Sequence, residues 1–391
     1  MRAVLADLSV PRYLLTAVAP RAGRMLSLRD DLPVPALPDA PGWLLLRPEL
    51  AGICGSDVAV AHAKSSVVLS AFYSAREQIL GHEIVAVDES TGERFAVDPV
   101  ISCVHRGFEP CRSCRDGHPY VCERFDQPGV TGCRSPTQGF DAALGGGWGE
   151  YVVAHRSQLH PVGAVPSRRA VLAEPASIAL HAALRWRRTG DRAVVIGPGT
   201  IGLLTVAALR RLHPGLDITV VGPGALRETT GADRALDSGP HVVEALAELH
   251  GGRVIRPRLT KVPILEQGVD VVFDCVARPQ TIDLGLHLLR PTGTLVLVGG
   301  AGRQRVDWSL VWNRQLTVQG TVNSGPEETL GGRTTMSQIV EWLADPSYPV
   351  DGLVTHTFVL PEWRAALATA AAGPPAVKVT LRPNPGLPLI A

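Results

Sequence analysis

The chain has 391 residues, 45% of them hydrophobic and 19% charged, with a formal net charge of +1. That length predicts two cores rather than one, and the composition excludes a disordered tail and offers no basic face for nucleic acid. No run of about 18 apolar residues is present to span a bilayer, and the opening MRAVLADLSVPRY lacks the pattern of a signal peptide, so a cytoplasmic protein with reduced thiols is expected. There, seven cysteines read as metal ligands or buried apolar residues rather than disulfides.

In chain order, the first half sets short apolar runs such as Trp43 to Leu46 and Ile84 to Val87 among many Gly and Pro, which predicts an irregular β domain. Cys54 sits there in AGICGSDVA and His82 in ILGHEIVAV. The apolar stretch at 64–79, KSSVVLSAFYSAREQI, either lines a substrate cleft or simply packs. Cys103, Cys111, Cys114 and Cys122 then follow as C-x7-C-x2-C-x7-C, and clustered thiolates with short spacers suit a closed tetrahedral structural zinc. Glu174 comes next, in LAEPASIALHAAL. A thiolate, an imidazole and a carboxylate satisfy zinc and leave a position open, although each residue taken singly reads as an ordinary buried or capping residue.

From about Ser177 the pattern changes. AVVIGPGTIGLLTVAALRRL predicts a strand, a glycine turn and a helix, with Gly197, Gly199 and Gly202 in G-x-G-x-x-G and the helix opening at Thr200 and Ile201. This arrangement cradles a dinucleotide pyrophosphate at a helix N-terminus. The acidic residue that would bond the ribose 2′-hydroxyl of NAD is missing: Gly222 stands in its place, and Arg227 a few residues on could pair with a 2′-phosphate, so the reading leans to NADP over NAD. Strands predicted at Asp217 to Val221, Val269 to Phe273, Thr294 to Val298 and Leu316 to Val322 give a doubly wound α/β sheet. Cys133 and Cys275 are read as structural, and Cys275 and Val298, at strand ends, are expected near the cofactor. The runs at 294–298 and 316–322 are expected as apolar edge strands that need cover, which predicts that subunits associate there. A helix around Met336 to Leu343 and a last strand in AVKVTLRP return the chain to the first domain.

The order GICGSD, GHE, EP and then a dinucleotide glycine turn resembles that of the zinc-containing medium-chain dehydrogenases of the alcohol dehydrogenase superfamily. The likeness is greatest to the branch of polyol, threonine and archaeal-type glucose dehydrogenases. It covers nearly the whole chain, including GGGWGEYVVAH at 145–155 and VDVVFDCVARP at 269–279. It implies a GroES-like irregular β catalytic domain over residues 1–177, a Rossmann nicotinamide-binding domain over 178–323, and a segment 324–391 returning to the catalytic domain. It also implies a homodimer or homotetramer, Cys54, His82 and Glu174 as ligands of a catalytic zinc, Glu83 as a residue that supports those ligands or exchanges with one of them, and Ser56 as the hydroxyl that takes the substrate proton, unless Ser56 merely caps a helix.

Two positions depart from the family pattern. The family's cysteine lobe reads C-x2-C-x2-C-x7-C, and Phe108 stands in the first place. Either Cys103 substitutes through a longer loop, or His105 or Glu109 supplies the fourth ligand, or the lobe is empty. Ala59 stands where a relay histidine often does, which leaves that role to His62 or to water. The implied activity is hydride transfer between a nicotinamide cofactor and a secondary alcohol or carbonyl of a polyol, sugar, cyclitol or amino alcohol. The competing readings are a zinc-free quinone or enoyl reductase on the same fold, which would lack the Cys, His and Glu set, an inactive binding or structural relative, and a zinc hydrolase, which the glycine turn opposes.

Overall fold

The computed structural model describes the chain apart from residues 20–24, 67, 70–72, 224–230, 240 and 260–261. It divides into two compact units, one of residues 1–177, 323–346 and 351–391, the other of residues 178–322 and 347–350. Arg227 and part of the apolar stretch at 64–79 lie outside the described residues. No helix among the described residues is long and apolar enough to cross a membrane.

The first unit is built on β1 (Ala3–Asp7), β2 (Leu26–Arg29), β3 (Trp43–Gly52), β4 (Glu77–Ile79), β5 (Glu83–Val87), β6 (Arg94–Val97), β7 (Val152–His155) and β8 (Leu159–Pro161). The second holds β9 (Arg192–Ile196), β10 (Asp217–Val221), β11 (Arg234–Leu236), β12 (Val254–Ile255), β13 (Ile264–Leu265), β14 (Val269–Asp274), β15 (Leu289–Leu297) and β16 (Thr317–Gly320). The last strands, β17 (Val354–Val359) and β18 (Lys378–Arg382), rejoin the first unit.

In the first unit β3 organises a sheet of order β17-β18-β3-β5-β6-β8, with β7 also on β3. The front half of β3 pairs with β7, from Trp43 opposite His155 to Leu46 opposite Val152. Its back half pairs with β18. Pro48 cannot donate to a ladder, and the β3–β5 register shifts between Pro48 and Leu50. Beyond the shift Gly52 faces Glu83 on β5 and Thr380 on β18. That register sets three remote segments side by side under the site described below. Trp148, Phe140 and Trp363 anchor the core beneath them.

The second unit carries a parallel sheet of order β11-β10-β9-β14-β15-β16. β14, VDVVFD, is buried along its whole length, as expected of a strand covered on both faces. The edge expectation needs correction at Thr294 to Val298. That run lies largely in β15, which pairs with β14 on one side and β16 on the other; its continuous apolar character reflects burial between neighbours, not an exposed rim. The edge is β16, whose residues are half-buried or exposed.

Arg106 ties the cysteine-bearing lobe of the first unit together. Its guanidinium is fully buried and donates to the carbonyls of Gln127 at 2.7 Å, Phe125 at 2.8 Å, Ser135 at 2.7 Å and Cys133. Arg106→Met strands these acceptors, and each buried unpaired group costs about 1–3 kcal/mol. The expected result is a stability loss of at least about 3 kcal/mol in urea unfolding, against an unchanged midpoint if water or repacking replaces the arginine.

Candidate functional site

Cys54 is the N-cap of the helix Gly55–Ala61, which follows β3 directly. Asp57, in the first turn of that helix and fully buried, accepts from the Cys54 backbone N–H at 2.9 Å and from Gly81 N–H at 3.4 Å. The same carboxylate fixes the helix start and, 3.7 Å from His82 Nδ1, acts on the imidazole through its charge. His82 is buried, its ring stacks on Phe140 with centroids 5.2 Å apart, and its Nδ1 has no hydrogen-bond partner among the described residues. Side-chain donor atoms of Cys54, His82 and Glu83 all lie within 4.8 Å of one another.

Glu174, in the first turn of the helix Ala173–Leu184, falls outside that 4.8 Å set but acts on it electrostatically. Burial pushes its carboxyl well up, Glu83 and Asp98 add to the effect, and His82 and Lys378 oppose it. Burial works against a charge on His82, yet Asp57, Cys54 and Glu174 hold its pKa well above the ordinary value. Burial is the first cause for Glu174 and the acidic neighbours are the cause for His82; together they mark a pocket in which several acidic groups meet few cations. A divalent cation relieves that imbalance, and a thiolate, an imidazole and carboxylates are donors zinc accepts. The residues present therefore fit the metal.

The balancing charge inside the protein is Lys378. Its Nζ donates to Glu83 Oε1 at 2.7 Å and Oε2 at 2.6 Å and to the Ile53 carbonyl at 3.2 Å, all buried. Burial lowers its pKa, but Glu83, Cys54 and Glu174 more than compensate. Gly52 makes room for the pair, since a Cβ there would sit 1.8 Å from Glu83 Oε2. Neither Gly52 nor Lys378 is visible as a site residue in the sequence, because β18 is 295 residues from Glu83 along the chain. Asp57 was legible in principle, as the acid of GICGSD placed to cap its own helix.

Ser56 is exposed at the second position of the helix Gly55–Ala61. The cap is Cys54, so helix capping is not its task. His62 ends the same helix with Nδ1 2.8 Å from the Val58 carbonyl.

The cysteine lobe gathers all four sulfurs of Cys103, Cys111, Cys114 and Cys122 within 4.8 Å. Cys103 and Cys122 Sγ are 3.5 Å apart and Cys111 and Cys122 Sγ 3.9 Å. A disulfide needs about 2.05 Å, whereas a tetrahedron of sulfurs each about 2.3 Å from zinc has edges of about 3.8 Å. Burial raises Cys122 to about 11, while backbone and thiol donors draw Cys111 down to about 6 against the cost of its own burial. One thiol thus ionises before its neighbours. Cys103 opens a short helix, Cys103–Arg106, ended by Gly107 in the left-handed conformation; this spans the longer loop, and Phe108 packs against the sulfurs. His105 is not the fourth donor: its Nδ1 accepts from Ser102 N–H at 2.9 Å and its Nε2 meets Ser157 Oγ at 3.1 Å. Glu109 is exposed and outside the set. Cys133 is buried with its Sγ 3.6 Å from the Ser135 carbonyl.

In the second unit the glycine turn joins β9 to the helix Thr200–Leu212, which begins with Thr200 and Ile201 after the N-cap Gly199. A Cβ on Gly202 would lie 1.9 Å from the Gly197 carbonyl oxygen, and one on Gly197 2.5 Å from Val276. Cys275 follows β14 beside this turn, and Val298 N–H donates to the Asp274 carbonyl at 2.9 Å. Gly222, at the end of β10, has φ +146 and would carry its Cβ 2.3 Å from Pro198 Cδ. The proline inside the glycine motif and the glycine in the acid's place thus require each other, a coupling no single motif reveals.

Lys378→Met leaves Glu83 buried without its counter-charge. Breaking such a pair from one side costs about 3–5 kcal/mol, to be read as a lowered urea midpoint in chelator-treated protein. A change below about 1 kcal/mol would show that Glu83 finds another partner.

Comparison with known proteins supplies the family. A model of the alcohol dehydrogenase GroES-like domain matches residues 40–164, and one described as zinc-binding dehydrogenase matches residues 200–345. An erythritol/L-threitol dehydrogenase of Mycolicibacterium smegmatis is 28% identical over 362 residues, covering 88% of this chain and 91% of its own. An L-threonine 3-dehydrogenase of Stenotrophomonas maltophilia is 24% identical, covering 86% and 90%. A Sinorhizobium meliloti chain assigned as a zinc-binding dehydrogenase and crystallised with NADP shares the fold, with a TM-score of 0.71 and 24% identity over 98% of this chain and 99% of that one. With both halves of the chain matched and the donor clusters in place, the protein belongs to the zinc-containing medium-chain alcohol dehydrogenase family and is an NAD(P)-dependent dehydrogenase.

Proposed function

We propose that the protein oxidises a secondary hydroxyl, or reduces the matching carbonyl, of a polyol, sugar, cyclitol or amino alcohol, with a catalytic zinc held by Cys54, His82 and Glu174. The observation that carries this reading is the convergence of Cys54 and His82 with two carboxylates in a pocket overloaded with negative charge. Glu174 is preferred as the third ligand because both oxygens of Glu83 are bonded to Lys378. Glu83 then serves as an exchanging ligand, released only when that ion pair opens. Cys103, Cys111, Cys114 and Cys122 are proposed to hold a structural zinc that orders the lobe and takes no part in the chemistry.

Zinc, when bound, supplies Lewis-acid polarisation of the substrate oxygen, and the nicotinamide cofactor, when bound, takes up or gives hydride. The chain's own residues do the rest. Asp57 fixes the Cys54 backbone by hydrogen bond and its charge favours a protonated His82 until a metal binds, and the stack on Phe140 orients the imidazole. Ser56, exposed two residues beyond Cys54, accepts the substrate's proton and passes it to water; Ala59 offers no imidazole, and the Nδ1 of His62 is turned to the backbone. The zinc-free reductase reading lacks support while the Cys, His and Glu set is present. The named relatives act on substrates with a hydroxyl or amine next to the reacting carbon, which favours polyols and amino alcohols.

A homodimer or homotetramer in the cytoplasm completes the proposal. Its support is β16, paired on the β15 side alone among the described residues, with Trp312 and Val322 exposed nearby.

For the cofactor, the coupled Pro198 and Gly222 exclude an acid at the ribose position, so NAD forgoes a charged hydrogen bond worth about 1.5–3 kcal/mol and NADP meets no repulsion. A panel of polyols, sugars, cyclitols and amino alcohols, read at the reduced-nicotinamide absorbance, should give turnover with NADP at least as efficient as with NAD. Gly222→Asp combined with Pro198→Ala should shift kcat/KM toward NAD by about tenfold or more. No turnover on any member of the panel by zinc-replete protein contradicts the activity; a wild-type preference for NAD above about tenfold contradicts the cofactor reading alone.

A further inference from the structure

Ser324 carries a buried hydroxyl that the reading above does not use. The chain returns to the first unit at Asn323, and residues 323–325 touch two separate parts of that unit. Asn323, in the left-handed conformation at φ 53°, donates from Nδ2 to the Tyr120 carbonyl at 3.4 Å. Gly325 lies against the Tyr120 ring, where a Cβ would come to 2.5 Å from Cδ1 and 2.9 Å from Cε1. Tyr120 belongs to the cysteine lobe. It precedes Cys122 in the single turn Pro119–Val121, which the Cys122 N–H closes onto the Pro119 carbonyl at 3.2 Å. Between these two contacts Ser324 is 3% exposed, and its hydroxyl meets that of Ser177 at 3.0 Å.

The direction of the hydroxyl pair follows from its protons. A serine hydroxyl has one to give, and Ser177 gives its own to the Glu174 carbonyl at 2.7 Å. Ser324 is therefore the donor and Ser177 the acceptor, and both are buried. A chain of contacts thus runs from Cys122 and Tyr120 through residues 323–325 to Ser177 and the backbone of Glu174, all within the first unit. Glu174 sits in the first turn of its helix. Helix ends fray, so a donor group there is held more firmly when its turn is tied to another segment. The bond from Ser177 to Glu174 lies within one turn; Ser324 is what ties that turn to a remote part of the chain. Partners that orient a metal ligand from outside govern metal affinity nearly as strongly as the ligand does.

We infer that Ser324 is a positioning residue for Glu174, and that through the Ser177 hydroxyl it carries the order of the cysteine lobe to the catalytic pocket. The inference rests on the proposed reading of Glu174 as a zinc ligand. It gives the lobe a hold on the strength of the other metal site without any part in the reaction. When the lobe releases the Tyr120 ring, residues 323–325 lose their support, and the turn that bears Glu174 loses its tie.

The test measures zinc transfer to a competing chelator from protein purified without one, with X-ray absorption counting the sulfur ligands of the zinc that stays. The variants are Ser324→Ala, Ser324→Thr, Gly325→Ala, Ser324→Ala combined with Gly325→Ala, and Glu174→Ala. Gly325→Ala displaces the Tyr120 ring without altering a residue of the lobe. Ser324→Ala and Gly325→Ala should each weaken zinc at Cys54 and His82 by about tenfold while the four-sulfur zinc stays bound. Ser324→Thr, which keeps the hydroxyl, should retain most of the wild-type affinity. The combined variant should lose no more than the larger single loss, because both changes break one path. Wild-type affinity in Ser324→Ala or in Gly325→Ala, or losses that multiply in the combined variant, overturns the relay; the zinc and dehydrogenase reading then stands if Glu174→Ala releases that zinc. Wild-type zinc affinity in Glu174→Ala overturns the ligand reading, and the relay with it.

Discussion

An excess of buried negative charge governs the first unit. Asp57, Glu83 and Glu174 are buried within reach of Cys54 and His82, and Lys378 is the cation set against them. Uncompensated charge in a low-dielectric interior costs several kcal/mol per ion, so an arrangement of this kind persists only where something pairs with it. Lys378 pairs with Glu83. Acidic neighbours draw up the pKa of His82 against the cost of its burial, and burial, with Glu83 adding to it, draws up that of Glu174; this is the site that the proposed zinc would meet.

The backbone makes that concentration possible. Pro48 marks the register shift on β3 that separates its β7-paired half from its β18-paired half. Past the shift, Gly52 lies against both β5 and β18, and its missing side chain is filled by Glu83. The next residues carry the chain out of the sheet into the Cys54 cap, while β5 begins immediately after His82. Two metal-donor candidates and their counter-ion are thus set by one strand trio, and Asp57 closes the gap between the helix and the imidazole with a single carboxylate. The cysteine lobe follows a different plan. Its fold rests on the Arg106 guanidinium and its carbonyl acceptors, while the four sulfurs meet one another and neighbouring backbone N–H groups.

What could be read from the sequence follows from how local each signal is. His82 and the glycine turn each stand in a compact motif whose neighbours fix the local backbone, so the strand beside the one and the strand and helix around the other were predicted closely, whereas the short helix after Cys54 was not. The cysteine lobe was ambiguous because Cys103 precedes Cys111 by a loop longer than the family's; only the short helix ending at Gly107 shows how the distance is taken up. Lys378 and Gly52 carry no motif, because their roles arise from strand register and packing between segments distant in the chain. The Thr294 to Val298 run misled for a physical reason: apolar continuity marks a strand flanked on both sides at least as often as an unprotected edge. Pro198 and Gly222 were read as separate facts, a glycine motif and a missing acid, and the contact between them makes them one.

The central claim is that the charge gathered around Cys54 and His82 is matched by a metal, distinct from the one proposed for the cysteine lobe. Zinc K-edge X-ray absorption on protein purified without chelator tests it directly. The account predicts about two zinc ions per chain sharing about five sulfur ligands, four in the lobe and one from Cys54, with the remaining ligands nitrogen and oxygen. Fully active protein with one zinc per chain and a spectrum fitted by four sulfurs alone would contradict it.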